Sequence, residues 1–204
     1  PNGLGISNTI SVATCSFIDV QNAVTASTPG TLIQLPPGNC DWGVNSLAVP
    51  SGRYLRGSGK DITTIIRGGA EYTPLITFNC SNNQRATFSD ISLTRTNASI
   101  LAYYGLKLQN NCIDFMVFNS KFTGFYFSGV QIEGSSQQRG VIFNNDFIDN
   151  FNPTALTNQV GWGYGIAIYA DLQPSILEQV LGSASNVFAE DNIFTGNRHN
   201  IASS

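Results

Sequence analysis

Positive charge, methionine, histidine and long apolar runs are all scarce in this sequence, and each scarcity removes a class of explanation. Lysine and arginine number 10 against 13 aspartates and glutamates in 204 residues, for a net charge of −3 with only 11% charged residues. The basic footprint that neutralises a nucleic-acid backbone is therefore missing. No apolar stretch approaches the ~18–20 residues that cross a bilayer as a helix. The chain starts at Pro1 with neither an initiator methionine nor a basic-then-apolar leader, so it reads as a processed or trimmed product. Its four cysteines, Cys15, Cys40, Cys80 and Cys112, include no CxxC pair of the kind that builds a zinc site. Oxidised structural cysteines, and with them a secreted or cell-surface setting, are the reading that remains. No segment resembles a linker, so residues 1–204 are taken as one domain.

What is abundant is Asn, Ser, Thr, Gly and Phe, a composition suited to strands and turns. One helix is expected near residues 17–27, because Phe17 to Val24 has apolar residues at helical spacing. Ser16 supplies its N-cap and Pro29-Gly30 its stop. Residues 1–14 form an extension before this 15–30 helix region, and 31–204 divide into short strands. The first are Thr31 to Leu35, Leu47 to Val49, Tyr54 to Arg56, Thr64 to Arg67 and Leu75 to Phe78, separated by Gly, Pro, Asn or Ser.

A repeat in the second half decides the fold class. Gly105-Leu106-Lys107-Leu108, Gly129-Val130-Gln131-Ile132 and Gly165-Ile166-Ala167-Ile168 share one form. A second series has Asp or Asn three residues before a large apolar residue: Asp90/Leu93, Asn119/Phe122, Asn144/Phe147 and Asp191/Phe194. Gly105 to Gly129 is a step of 24 and Asn119 to Asn144 one of 25. A unit of about two dozen residues holding two or three strands is one coil of a parallel β-helix, stable only when stacked on its neighbours. Longer steps, 36 from Gly129 to Gly165 and 47 from Asn144 to Asp191, place insertions at Phe151 to Gly163 and Leu172 to Ser185. Stacking should align Phe122, Phe147 and Phe194 inside, with Leu93 at one end. Asp90, Asn119, Asn144 and Asp191 should form a ladder at a tight turn. An all-β solenoid of about six to eight coils follows.

The stretch Cys15-Ser16, Asp19-Val20, Ala23, Gly30-Thr31, Leu35-Pro36, Gly38, Cys40 and Trp42, continued by Tyr54-Leu55-Arg56-Gly57-Ser58-Gly59 and Thr63-Thr64-Ile65-Ile66, resembles the entry region of secreted pectate-lyase-like β-helix proteins. That resemblance implies a right-handed parallel β-helix whose open first coil is capped by the helix, which a Cys15–Cys40 disulfide would pin. Cys80 and Cys112 are left either bonded to each other or as buried thiols. The resemblance also implies β-elimination on a uronic-acid polysaccharide, in which calcium or a basic side chain neutralises the sugar carboxylate while a base removes the neighbouring ring proton.

The motifs that mark activity in the family are not here: no WxDH, no RxPxxR, and none of the NTD, DD, SHG and RIK series. Glu133, Asp146 and Asp171 are outward carboxylates that would hold calcium, although Lys121, one coil from Asp146, offers a plain ion pair instead. Arg198 and His199, the only His in the chain, are the catalytic candidates, in a run to Ser203 that resembles an RHxIAS stretch of β-helix relatives. Tyr103, Tyr104, Trp162 and Tyr164 lie at long turns, where rings stack on sugar faces. Asn79 and Asn97 match the N-glycosylation pattern. Asn200 to Ser204 repeats the apolar spacing of the glycine series, so the sequence stops on a strand without a polar cap. Two functions therefore compete. One is an extracellular protein that binds or degrades polysaccharide; the other is a structural or adhesive subunit stacking end to end into a fibre, with Pro1 to Val12 as a donor segment.

Overall fold

A computed structural model describes residues 5–69, 72–81, 84–95, 103–110, 112–134, 138–151, 163–170 and 187–203. Strand β1 (Asn8–Ser11) precedes helix α1 (Phe17–Ala26), after which the described residues wind through six turns of three strands each. The first coil is β2 (Thr31–Gln34), β3 (Gly38–Asp41) and β4 (Leu47–Pro50), and the second β5 (Tyr54–Arg56), β6 (Thr63–Arg67) and β7 (Ile76–Asn79). The third is β8 (Thr87–Ser89), β9 (Ser92–Arg95) and β10 (Tyr104–Gln109), and the fourth β11 (Ile113–Phe118), β12 (Lys121–Thr123) and β13 (Ser128–Gly134). The fifth is β14 (Arg139–Phe143), β15 (Asp146–Ile148) and β16 (Tyr164–Ala170), and the sixth β17 (Val187–Glu190), β18 (Ile193–Thr195) and β19 (His199–Ser203).

Like strands stack in parallel register into three sheets. The first runs β1-β2-β5-β8-β11-β14-β17, the second β3-β6-β9-β12-β15-β18 and the third β4-β7-β10-β13-β16-β19. This is a parallel β-helix, with one strand of each sheet contributed by each coil. Aligned inward residues build the core in columns. Ile33, Leu55, Phe88, Val117 and Ile142 line the first sheet, and Ile65, Leu93, Phe122 and Phe147 the second. Burial of such a side chain contributes about 1.5–3 kcal/mol, which is why strands of three residues suffice when every coil adds to the same columns. The aromatic stack occurs as expected: Phe122–Phe147 centroids are 5.2 Å apart and Phe147–Phe194 5.0 Å, both pairs tilted by 11°.

The helix begins at the expected cap, Ser16, whose side chain accepts from the Asp19 N–H at 3.3 Å. It ends before Pro29-Gly30, because Ser27 closes it by donating from both its N–H (3.2 Å) and its hydroxyl (2.7 Å) to the Val24 carbonyl. Val20, Ala23 and Val24 are buried in the core cluster. Cys15 and Cys40 are bonded, as are Cys80 and Cys112. Residues 8–11, inside the segment read as a donor to another copy, instead pair with β2 of their own chain. The strands of the first sheet beyond β5 were not expected; their inward residues fall between the two visible series and form no motif of their own.

The turn from the first sheet to the second carries the ladder. Asp90, Asn119, Asn144 and Asp191 all have positive φ, from 47° to 60°, a region that short amide and carboxylate side chains tolerate. The Asn119 amide donates to Asp90, and that of Asn144 to the Asn119 Oδ1 at 3.4 Å. A stronger ladder lies one residue on, where Asn145, fully buried, receives the Ser120 N–H on its Oδ1 at 3.0 Å and donates to the Val117 and Phe143 carbonyls, each at 3.0 Å. Asn192 caps it by accepting from the Asn145 N–H at 3.1 Å. A third ladder, Asn150 and Asn197, repeats the pattern at the next corner, where Asn150 receives the Phe125 N–H at 3.0 Å. Their shared offset, 145 to 192 and 150 to 197, is visible in the sequence once the turn is known.

Candidate functional site

The corner between the second and third sheets carries Tyr103, Tyr104 and Tyr164 together with Arg198 and His199. Tyr104, Ser128, Tyr164 and His199 occupy one register position on four successive strands of the third sheet. Phe127 bridges Tyr104 and Tyr164, with centroids 5.0 and 5.7 Å away, and the Tyr164 ring stacks on His199 at 5.3 Å with a 27° tilt. Tyr103 joins from the preceding turn, 5.8 Å from Tyr104, 5.1 Å from Tyr126 and 4.7 Å from Tyr72. An aromatic band therefore follows the solenoid axis from the second coil to the sixth, advancing about 4.8 Å per coil, the spacing of hydrogen-bonded strands. Tyr72 and His199 are exposed, while Tyr126 and Phe127 are buried beneath the band.

Tyr169 folds back toward the same corner. Its ring lies 5.9 Å from Phe127, and burial together with the charge and hydrogen bond of Tyr164 pushes its phenol up to about 12. Burial, followed by the Glu133 carboxylate, also raises Tyr104. Burial and the neighbouring Tyr126 and Tyr72 raise Tyr103. These phenols stay protonated and able to donate at neutral pH.

Glu133 is on the outer face of the third sheet, where its Oε2 takes both the Lys107 ammonium at 2.7 Å and the Gln131 Nε2 at 2.9 Å. Asp146 lies on the second sheet and pairs with Lys60 at 2.8 Å. Lys121 is its register neighbour yet bonds Asp61 instead, at 3.1 Å. Glu133 and Asp146 are thus not brought to one ion, and the described residues contain no cluster of three His, Cys, Asp or Glu able to hold one. Asp171, Trp162 and Asn97 lie outside the described residues. Asn79 sits within β7, its Oδ1 accepting from Gln109. Arg198 is exposed next to His199, at the entry to β19.

Of the expected site residues, Tyr103, Tyr104, Tyr164 and His199 are linked ring to ring through Phe127, Arg198 adjoins His199 in the chain, and Glu133 lies near enough to Tyr104 to raise its phenol. Phe127, Tyr169, Lys107 and Gln131 were missed. A signal for Phe127 was available, since Tyr104 and Tyr164 directly precede the glycine series and Phe127 stands one residue before Ser128-Gly129.

No family model matches the sequence, and no curated protein does. Among solved structures, the PL6 family alginate lyase AlyGC is similar at 14% identity and a TM-score of 0.51, over 95% of this chain and 29% of that one. A mutant of that lyase gives 14% and 0.52 over the same shares. The A-module of the Azotobacter vinelandii mannuronan C-5 epimerase AlgE6 gives 13% and 0.49, over 91% of this chain and 52% of that one. This chain spans about 29% of the length of the lyase, and what it shares at such identity is the fold, a parallel β-helix.

Proposed function

We propose that this chain is part of a secreted, right-handed β-helix protein that binds an acidic polysaccharide along the third sheet and cleaves it by β-elimination. The aromatic band from Tyr72 to His199 carries the reading: rings exposed or half-exposed on the second, third, fifth and sixth coils, joined through the buried Phe127 of the fourth, offer stacking surfaces for sugars, with phenol donors beside them. Shared fold with an alginate lyase makes a polyuronate the first substrate to try. The two disulfides suit an oxidising, extracellular compartment, and α1 serves as the cap of the first coil.

In this reading Tyr103, Tyr104 and Tyr164 hold the sugars. Arg198 neutralises the uronate carboxylate, which acidifies the C5 proton, and His199 accepts that proton. The C5–H electron pair becomes the C4=C5 double bond while the C4–O4 bond breaks. Its electrons leave on O4, which takes a proton from water. Calcium, which the family resemblance implies, has no fitting ligand set among the described residues, because Glu133 and Asp146 are on different sheets, each paired with its own lysine. No step is assigned to it.

The test is incubation with a panel of polyuronates, followed by ultraviolet absorbance of the unsaturated product. Arg198→Ala and His199→Ala should each lower the rate by at least about 100-fold, the usual yield of a positioned proton-transfer group. Cleavage that persists unchanged in both variants refutes these roles.

A further inference from the structure

We infer that Lys107 and Gln131 form a subsite for the carboxylate and an adjoining hydroxyl of one acidic sugar, and that Glu133 holds this subsite closed by occupying the carboxylate's place. The inference rests on the third sheet being the polysaccharide surface and narrows that reading to one position and one sugar class.

Alternation along the strands puts the three side chains together. Leu106, Leu108, Val130 and Ile132 point into the core, so Lys107, Gln131 and Glu133 emerge on the opposite face of β10 and β13, with Lys107 opposite Gln131 and Gln109 opposite Glu133. Both donors converge on a single oxygen, the Glu133 Oε2, at 2.7 Å from Lys107 and 2.9 Å from Gln131. The members of this group differ in exposure: Lys107 is 17% exposed and Glu133 48%. The ammonium is therefore held in the surface, and the carboxylate is the partner that solvent can replace.

A simple surface ion pair would leave no other polar group in want of a partner. Here Gln131 is 5% exposed, and its Oε1 has no hydrogen-bond partner among the described residues. Burying an acceptor without a donor is costly, and a protein retains such a group where something else supplies the donor. A sugar presents both complements, a carboxylate for the Lys107 ammonium and a neighbouring hydroxyl that donates to Gln131. Two carboxylates cannot share one ammonium at contact distance without repulsion, so a uronate enters only as Glu133 swings into water. A neutral sugar has nothing with which to displace it. Glu133 thus sets both the affinity and the requirement for charge.

Calorimetric titration of the intact chain tests this with two ligands, an oligouronate and the same oligosaccharide with its carboxyls reduced to alcohols. Glu133→Gln should bind the oligouronate about tenfold tighter than the parent, and Lys107→Met about tenfold weaker, as for gain or loss of one charge-assisted contact. Affinity for the reduced ligand should stay unchanged in Lys107→Met and rise in Glu133→Gln, though by less than that for the oligouronate, because the block on uncharged sugars is lifted while no new charge contact is gained. Glu133→Ser, which cannot reproduce the bond to Lys107, should show the same gain and separates release of the lysine from any accident of the glutamine. Oligouronate affinity that is unchanged or weaker in both Glu133 variants overturns the inference and leaves the polysaccharide reading standing. Failure of parent and variants alike to bind any uronide overturns the polysaccharide reading and the inference with it.

Discussion

Replacing Asn145 by alanine should be among the costliest single changes in this protein, although it removes no apolar contact. Its Oδ1 receives the Ser120 N–H at 3.0 Å, and its Nδ2 donates to the Val117 and Phe143 carbonyls and to the Asn192 Oδ1, all at 3.0 Å. Asn145 and Ser120 are both fully buried, so water cannot repair the loss. The carbonyls have second lone pairs and strand or turn partners, whereas the Ser120 N–H has only one hydrogen to place. Counting about 1 kcal/mol for each of two or three lost bonds and about 1–3 for the orphaned N–H gives a destabilisation of about 3–6 kcal/mol. Asn144, one residue earlier, is exposed and makes one 3.4 Å side-chain bond at a φ of 55°, so Asn144→Ala should cost only about 1–2 kcal/mol, mainly from the left-handed backbone. Urea unfolding of the two variants, compared by midpoint with the slope checked for constancy, reads the difference directly. If Asn145→Ala is no more destabilising than Asn144→Ala, the buried amide is not what holds these coils in register.

Phe147→Ala should cost about 3–5 kcal/mol, since a fully buried ring between two stacked partners leaves a cavity that neighbouring coils cannot close. Phe194→Ala, at a partly buried position, should cost less than half as much, and thermal melting of both orders them. Tyr169 gives a pH signature. Its phenol is raised from 10.0 to about 12, so the unfolded chain releases this proton first; the stability it contributes is complete below pH 10 and is lost as pH climbs toward 12. Tyr169→Phe should flatten that alkaline limb of the stability curve, and an unchanged limb would remove Tyr169 as its source.

Much of the fold was legible because a solenoid writes its geometry into the sequence as a repeat. The glycine series and the Asn-to-Phe series correspond to the third and second sheets, and insertions kept to the turns did not blur them. The first sheet was not legible past β5, since Phe88, Val117 and Ile142 sit in strands whose other positions vary freely between Thr, Met, Val and Phe. The turn ladder was found one residue off its strongest rung, as positive φ and burial fall on neighbouring residues and sequence marks both with the same amide. At the site, Tyr104, Tyr164 and His199 were recognised one by one, but their common register position depends on insertion lengths. The pairing of Glu133 with Lys107 rather than with an ion depends on which coil faces which, and spacing along a chain does not encode that.

The turn between β5 and β6 changes how this stack comes apart. Lys60 and Asp61 belong to the second coil, yet they reach Asp146 in the fifth and Lys121 in the fourth. A solenoid held only by nearest-neighbour contacts behaves like a one-dimensional row of spins, which can fray from either end a coil at a time. A strap tying the second coil to the fourth and fifth adds a long-range coupling to that row. Opening the fifth coil then also releases contacts of the second, so the coils between them exchange their amide hydrogens as one block.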